Sequence, residues 1–229
     1  MLVKIDNYTF ICHQHHSTNS MKKILFLALI AVTAFSCRKE PNLSQLTDDF
    51  LVGTLYEPSA QFASYQTYEL PSYVAIVGSG TTNDTMLSTN QANQLLNQVR
   101  SNMNSRGYRE AGANDTADLA MNIFTIKTIN QTSIITPGSY WGYPGYYDPG
   151  YWGYYDSYYY YPFSYTYTYN TGTIVMEMVD LKNLTLNNNK LEIIWTSISN
   201  GILGTTYSNT QNALYAIDQS FTQSPYIQR

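Results

Sequence analysis

The chain has 229 residues, with 12 Lys and Arg against 16 Asp and Glu, a formal net charge of −4. Charged residues make up only 12% of it, against about a quarter in an average soluble domain, and Asn, Thr, Ser, Gln and Tyr supply the polarity instead. The absence of a basic stripe argues against a nucleic-acid partner, and all three histidines and both cysteines lie within the first 37 residues, which removes most nucleophilic and metal chemistry from the rest.

Residues 1–20 have no place in a secretory signal. They hold Asp6, Asn7 and the cluster Cys12-His13-Gln14-His15-His16. Cysteine and histidine together are good transition-metal ligands, so one reading is a metal site. The other is an upstream extension ahead of a start at Met21, and it is preferred because a complete signal begins there. In Met21–Cys37, MKKILFLALIAVTAFSC, Lys22 and Lys23 precede the apolar run Ile24–Val32, which is too short to stay as a membrane span. The end of the stretch resembles a lipobox, with Ala34, Phe35 and Ser36 before Cys37, although Phe35 is bulkier than the strictest patterns prefer. That resemblance implies a signal peptide over 21–36 and a mature N-terminus at Cys37, acylated on its thiol. The alternative is a hydrophobic N-terminal anchor with an incidental cysteine.

Cys37–Arg229 is 193 residues, enough for one domain with a real core. Without Lys4, Lys22, Lys23 and Asp6 it keeps nine basic and fifteen acidic residues, a net charge of −6. It has no histidine, and its single cysteine is the one expected to be acylated. A Ser-His-Asp triad, a Cys-His pair, a His-ligated zinc and a disulfide are therefore excluded, while carboxylate or lysine chemistry remains open. No metal or cofactor is expected.

Residues 37–47 read as a lipidated tether and 48–229 as a single domain. Phe50–Tyr56 alternates as a strand, Phe62–Tyr65 is a short turn, and Thr67–Leu70 is extended up to Pro71. Ser79–Thr85 is loop. Ser88 with Gln91 matches a capping box, and Ala92, Leu95, Leu96, Val99 and Met103 make one helical stripe, with Asn93, Asn97, Arg100 and Asn104 opposite. Gly107 is the left-handed stop. Asp118–Ile129 is apolar on both faces at its start, as in a strand covered on both sides.

Between Gly138 and Tyr169 lie fourteen of the 23 tyrosines, Trp141, Trp152, Phe163, three prolines and five glycines. The prolines forbid a helix. Tyr165–Tyr169 alternates as a strand, and the remainder reads as a Tyr/Gly-rich insertion over 138–169 whose part Gly138–Tyr161 is dispensable for folding. Thr173–Leu181 and Leu191–Ser199 form an antiparallel hairpin around Asn187-Asn188-Asn189. Gln211–Thr222, with Leu214, Ile217 and Phe221 on one stripe, is a second helix ended before Pro225. The expected fold class is α+β, with two amphipathic helices on one face of an antiparallel sheet and a mixed sheet left open.

The opening DDFLVGTLYEPSAQFASYQTYELP, the helix ending in RGY, ADLAMNIF, an aromatic-Gly loop, GTIVMEMVDLKN, KLEIIW and the final helix before Pro225 together resemble the domain-of-unknown-function 4136 family of bacterial envelope lipoproteins. The resemblance runs from about Asp48 to Pro225. It implies an α+β envelope lipoprotein with no established activity and brings no catalytic residues. The lengthened Asn187–Asn189 turn and the abundance of tyrosine depart from it. Arg38, where an aspartate would retain a lipoprotein in the inner membrane, implies the outer membrane.

Asp148 and Asp156 in the aromatic loop lack the fixed spacing that catalytic carboxylates need, and read as solvated. Asp115 and Asp118 bound a turn and start a strand, and Asp180 closes one. The loop itself has three readings: rings that stack on a sugar or peptide, rings that pack on one another and the sheet, or a low-complexity stretch. If it binds, the contact residues are Trp141, Tyr143, Trp152, Tyr154 and Tyr155, with Gly142 and Gly153 beside the tryptophans letting a ligand approach the backbone. The expectation is a non-enzymatic binding or scaffold module held to the membrane by its lipid, with an envelope protein or glycan as partner. The alternative is a carboxylate-dependent hydrolase or transferase acting on cell-wall or surface glycan.

Overall fold

A computed structural model describes residues 51–77, 86–112, 115–126, 133–135, 146–163, 167–169, 172–185, 190–200 and 206–229. All of them fall in one of two units, Leu46–Arg229; Cys37, Trp141, Tyr143 and the Asn187–Asn189 turn lie outside the described residues.

The order is β1 (Leu51–Tyr56), a 3-10 turn (Phe62–Ser64), β2 (Thr67–Glu69), β3 (Ala75–Val77), α1 (Thr89–Ser105), β4 (Arg109–Glu110), β5 (Leu119–Ile126), β6 (Ser133–Ile135), a 3-10 turn (Pro149–Trp152), β7 (Tyr158–Tyr160), β8 (Tyr167–Tyr169), β9 (Thr173–Thr185), β10 (Lys190–Asn200) and α2 (Thr206–Thr222). Eight strands form one sheet in the order β1-β10-β9-β5-β2-β4, with β3 also on β5 and β7 also on β10; β6 and β8 pair separately. The centre is the expected antiparallel hairpin of β9 and β10, with β5 antiparallel to β9 and β1 to β10. The sheet is mixed, however, because β2 and β3 run parallel to β5, β4 to β2, and β7 to β10. The parallel pairing of β3 with β5 follows from α1, which crosses over between them and returns the chain in the same direction.

One face of the sheet packs on the helices. Ala92, Leu95, Leu96, Val99 and Met103, the predicted stripe of α1, are all buried there, against Leu119, Met121 and Ile123 of β5, and Ile174, Met176 and Met178 of β9. At the start of α1 the Ser88 hydroxyl donates to Gln91 Oε1 at 2.8 Å, so the pair forms without the Ser88 side chain capping a helix N–H. At the end, Gly107 takes φ 90°, its N–H bonds the Asn104 carbonyl, and the Tyr108 N–H bonds that of Met103, a complete Schellman closure. On α2 the buried stripe is Ala213, Ala216, Ile217, Ser220 and Phe221; Leu214, predicted on it, is only half-buried. Small residues let α2 lie close to β10, where Ser197 and Ser220 hydroxyls meet at 2.6 Å and the buried Trp195 donates to Ser224 Oγ at 2.9 Å.

A bulge in β10 sets which face each residue serves. Ile193 pairs with Val179 but Trp195 with Met178, so Ile194 is an extra residue and both Ile194 and Trp195 reach the helix-side core. Beyond the bulge the parity is reversed, and Ile198 joins Leu191 and Ile193 in facing away from the helices. That other face is covered too. Val175, Val179, Ala120, Phe124 and Ile126 pack there against Tyr147, Trp152 and Tyr159.

Candidate functional site

The layer over that second face is built from the described part of the aromatic stretch, residues 146–163. Asp148 caps the 3-10 turn, its Oδ1 accepting from the Tyr151 N–H at 3.1 Å; Pro149 fixes the first turn position and Gly153, at φ 87°, ends it. The turn drives Trp152 inward. Tyr151 meets Trp152 edge-on with centroids 4.7 Å apart, Tyr147 meets Tyr151 at 5.0 Å, and Tyr146 meets Phe124 at 5.3 Å and Tyr159 at 5.9 Å. The Tyr147 hydroxyl donates to the Tyr73 carbonyl at 2.6 Å, and burial holds its pKa far above the usual phenol range. Tyr159 is pushed the same way by burial, which neighbouring Asn122 and Trp152 partly offset. These rings are buried on the sheet, which argues against the expectation that Gly138–Tyr161 is dispensable for folding.

Beneath the layer sits Glu177, fully buried in mid-strand and opposite Asn122 on β5. It accepts from the Tyr146 hydroxyl at 2.9 Å, from the Tyr161 hydroxyl, and from Asn122 Nδ2 at 3.3 Å. Tyr146 and Tyr161 stand near the two ends of the described aromatic segment, so one carboxylate pins both. Sequence reasoning did not single out Glu177. Its signal is a lone acid between Met176 and Met178 in a strand apolar on both faces.

A second polar group lies on the helix-side face near the β7 end of the sheet. Asp180 is buried within β9 rather than closing it, and accepts from the Tyr65 hydroxyl at 2.7 Å, the Asn183 N–H at 2.8 Å and Asn183 Nδ2 at 2.9 Å. Asp118 accepts from the backbone N–H groups of Gln66 (2.6 Å) and Thr67 (3.3 Å), tying the start of β2 to β5, with Lys182 Nζ 3.9 Å away. Asp115 accepts from the Gly112 N–H and pairs with Arg109 in an exposed turn. Glu192, paired with Asp180 across β9 and β10, is half-buried; burial, then repulsion by Asp180 and Glu57, raises its pKa, and Lys190 offsets this in part.

The predicted contact residues separate. Trp152 is 8% exposed and belongs to the core, Tyr154 is half-buried against the same cluster, and Tyr155 is 85% exposed. Asp156 is exposed, and Asp148 serves its turn. Among the described residues no group of three or more His, Cys, Asp or Glu is arranged to hold a metal, and no helix is long and apolar enough to cross a membrane.

These features define an α+β domain with a mixed sheet, two helices on one face and a tyrosine layer on the other. The chain belongs to the DUF4136 family: residues 52–226 match that domain of unknown function. It is similar to the crystal structure of a DUF4136 family protein from Bacteroides thetaiotaomicron, at 33% identity and TM-score 0.67, over 79% of this chain and 98% of that one. Weaker likenesses are to the PelC dodecamer of Paraburkholderia phytofirmans (10% identity, TM-score 0.36, 79% of this chain and 99% of that) and to a PDZ domain protein of Parabacteroides distasonis (12%, 0.40, 79% and 37%). No curated protein matches the chain.

Proposed function

We propose that this protein is a lipid-anchored lipoprotein of the cell envelope, held in the outer membrane through Cys37, and that its domain is a non-catalytic binding or scaffold module. The anchoring part is supported by the signal Met21–Cys37 and by Arg38 after it. One structural observation supports the binding part. The buried carboxylates Glu177 and Asp180 are engaged by internal donors, whereas Tyr155, Tyr158 and Tyr160 stand out in solvent. Tyrosine gives a large, stiff contact surface at low entropic cost.

The competing reading, a glycan hydrolase or transferase, has the Glu192–Asp180 neighbourhood in its favour, since Glu192 is pushed toward its neutral form. Such chemistry needs a second carboxylate free to act as base or nucleophile. Asp180 is buried beneath Tyr65 and Asn183, which hold both its oxygens. The binding reading is therefore preferred.

The test is affinity capture from detergent-solubilised envelopes with the full chain and with a Tyr155→Ala, Tyr158→Ala, Tyr160→Ala variant. A partner enriched by the wild type and lost with the variant is expected. Equal recovery by both, or none by either, overturns the proposal.

A further inference from the structure

The exposed rings of β7 do not stand alone. Parallel pairing sets Tyr158 opposite Lys190, Tyr159 opposite Leu191 and Tyr160 opposite Glu192. Tyr159 and Leu191 are buried under the aromatic layer, so their neighbours Tyr158, Tyr160, Lys190 and Glu192 share the opposite face. Antiparallel pairing then puts Asp180 beside Glu192 on that face. With strands about 4.8 Å apart, Tyr160, Glu192 and Asp180 form a row about 10 Å long, close to the span of two sugar rings.

Each member of the row differs in what it leaves available. Asp180 is buried and occupied by Tyr65 and Asn183. Tyr160 is 39% exposed, and Lys190 Nζ lies 4.6 Å from its ring centroid, a cation–π contact that fixes the ring against the sheet. Tyr158, next to it on β7, is 46% exposed. Glu192 is half-buried and its side-chain carboxylate accepts no hydrogen bond among the described residues, unlike those of Glu177, Asp180 and Asp118.

A half-buried acceptor with no donor among the described residues, next to exposed tyrosine rings, matches a sugar, whose C–H face stacks on an aromatic ring while its hydroxyls donate. Charge narrows the class. Asp180 and Glu57 act on Glu192 as like charges and the Lys190 ammonium as an opposite one, with the Lys182 ammonium farther along the same face over the Tyr65 ring. Phosphorylated, sulfated or uronate chains would meet repulsion there. We propose that Tyr158, Tyr160 and Glu192 form a subsite for an uncharged glycan, one ring stacking on the tyrosines and its hydroxyls donating to the Glu192 carboxylate. The inference rests on the binding-module reading above and moves the contact from the predicted Trp141 and Trp152 to β7 and β10.

Affinity electrophoresis of the full chain in detergent tests it, in gels cast with dextran, mannan or hydroxyethylcellulose and, separately, with anionic alginate. At least one neutral polysaccharide should retard the wild type, and alginate should not. Tyr158→Ala and Glu192→Gln should each weaken that retardation about tenfold, the scale of one charge-assisted hydrogen bond or stacked ring. Glu192→Gln keeps the side-chain size, and an unchanged circular dichroism spectrum separates lost binding from lost fold. Failure of every neutral polysaccharide to retard the wild type, equal retardation of all three proteins, or preference for alginate overturns the subsite. If the polysaccharides fail while the envelope capture still yields a tyrosine-dependent protein partner, the subsite falls and the binding-module reading stands.

Discussion

Asn122 and Glu177 face each other across β5 and β9, and the Asn122 amide donates to the Glu177 carboxylate at 3.3 Å, with both side chains fully buried. The sheet thus supplies one donor to a buried acid, and Tyr146 and Tyr161 of the aromatic layer supply two more. A carboxylate in an apolar interior is costly unless hydrogen-bonded, so the acid and the layer require each other.

Glu177→Ala should therefore do more harm than its small loss of apolar area implies. It leaves the Tyr146 and Tyr161 hydroxyls and the Asn122 amide without this acceptor, at about 1–3 kcal/mol for each group that finds no other. A loss of about 3 kcal/mol or more is expected by urea unfolding. Tyr161→Phe, which removes one donor and keeps those of Tyr146 and Asn122, should lose only about 1 kcal/mol. Equal, small effects from both would show that the acid does not hold the layer.

Replacing Gly138–Tyr161 with a short Gly-Ser link should abolish cooperative unfolding. Loop-closure entropy alone makes such a replacement cheap. The structure changes the balance, because Tyr147, Trp152 and Tyr159 are buried on the sheet, each contributing about 1.5–3 kcal/mol. Their sum approaches the whole net stability of a typical domain. A sharp, single thermal transition in the replaced protein would mean the layer is dispensable after all.

Why one half of this fold is legible and the other is not follows from periodicity. The α1 stripe Ala92, Leu95, Leu96, Val99, Met103 and the Gly107 stop can be read residue by residue, because a 3.6-residue period and a left-handed glycine are local signals. The β9–β10 hairpin is legible for the same reason. The tyrosine layer has no period, and tyrosine suits both core and surface, so composition alone cannot tell buried Tyr159 from exposed Tyr158. The pairing of β7 with β10 decides that, and it joins residues some thirty positions apart. Glu177 is hidden likewise, since its donors come from segments distant in sequence.

On the helices, Leu95→Asp and Ile217→Asp should each unfold the domain, because each buries an unpaired charge in the helix-side core. Leu214→Asp should cost less, as Leu214 is half-buried at the margin of that core. Asn97 accepts from Arg100 Nη1 at 2.7 Å on the outer face of α1, and Asn97→Asp should stay within about 0.5 kcal/mol of wild type. Thermal melts of the four variants check the ranking, and a Leu214→Asp effect equal to that of Ile217→Asp would contradict the placement of α2.

Intact-mass analysis of protein recovered from membranes should find Cys37 as the N-terminal residue, carrying two or three acyl chains. At about 0.8 kcal/mol for each buried methylene, chains of that number make release negligible. Cys37→Ser should appear in the soluble fraction. An unmodified Cys37, or retention of residues 1–20, would contradict the anchor.

Glu192 should be a residue that weakens the fold. Burial, followed by repulsion from Asp180 and Glu57, disfavours its ionised form in the folded protein, so its pKa lies above its ordinary value of 4.5. Well below that value the carboxyl is protonated in folded and unfolded chains alike, and no penalty exists. As pH rises from there through the raised value, the unfolded chain ionises first, and stability falls. Above the raised value both forms are ionised, and the folded form bears the full cost. Glu192→Gln removes the charge at nearly constant size, so its unfolding midpoint should exceed that of wild type at pH 7 and coincide with it near pH 3. Titrating groups distant from Glu192 are common to both proteins and cancel in the difference, while relief of Asp180 and Glu57 from its charge adds to the gap in the same direction. Lys190 works against the effect, because its ammonium favours the ionised carboxylate, and a Lys190→Gln background should widen the gap. Paired thermal melts across this pH range decide the matter. A gap that is absent at pH 7, or that grows toward pH 3, would show that Glu192 is stabilised where it stands, and that its carboxylate is not free to accept from a ligand.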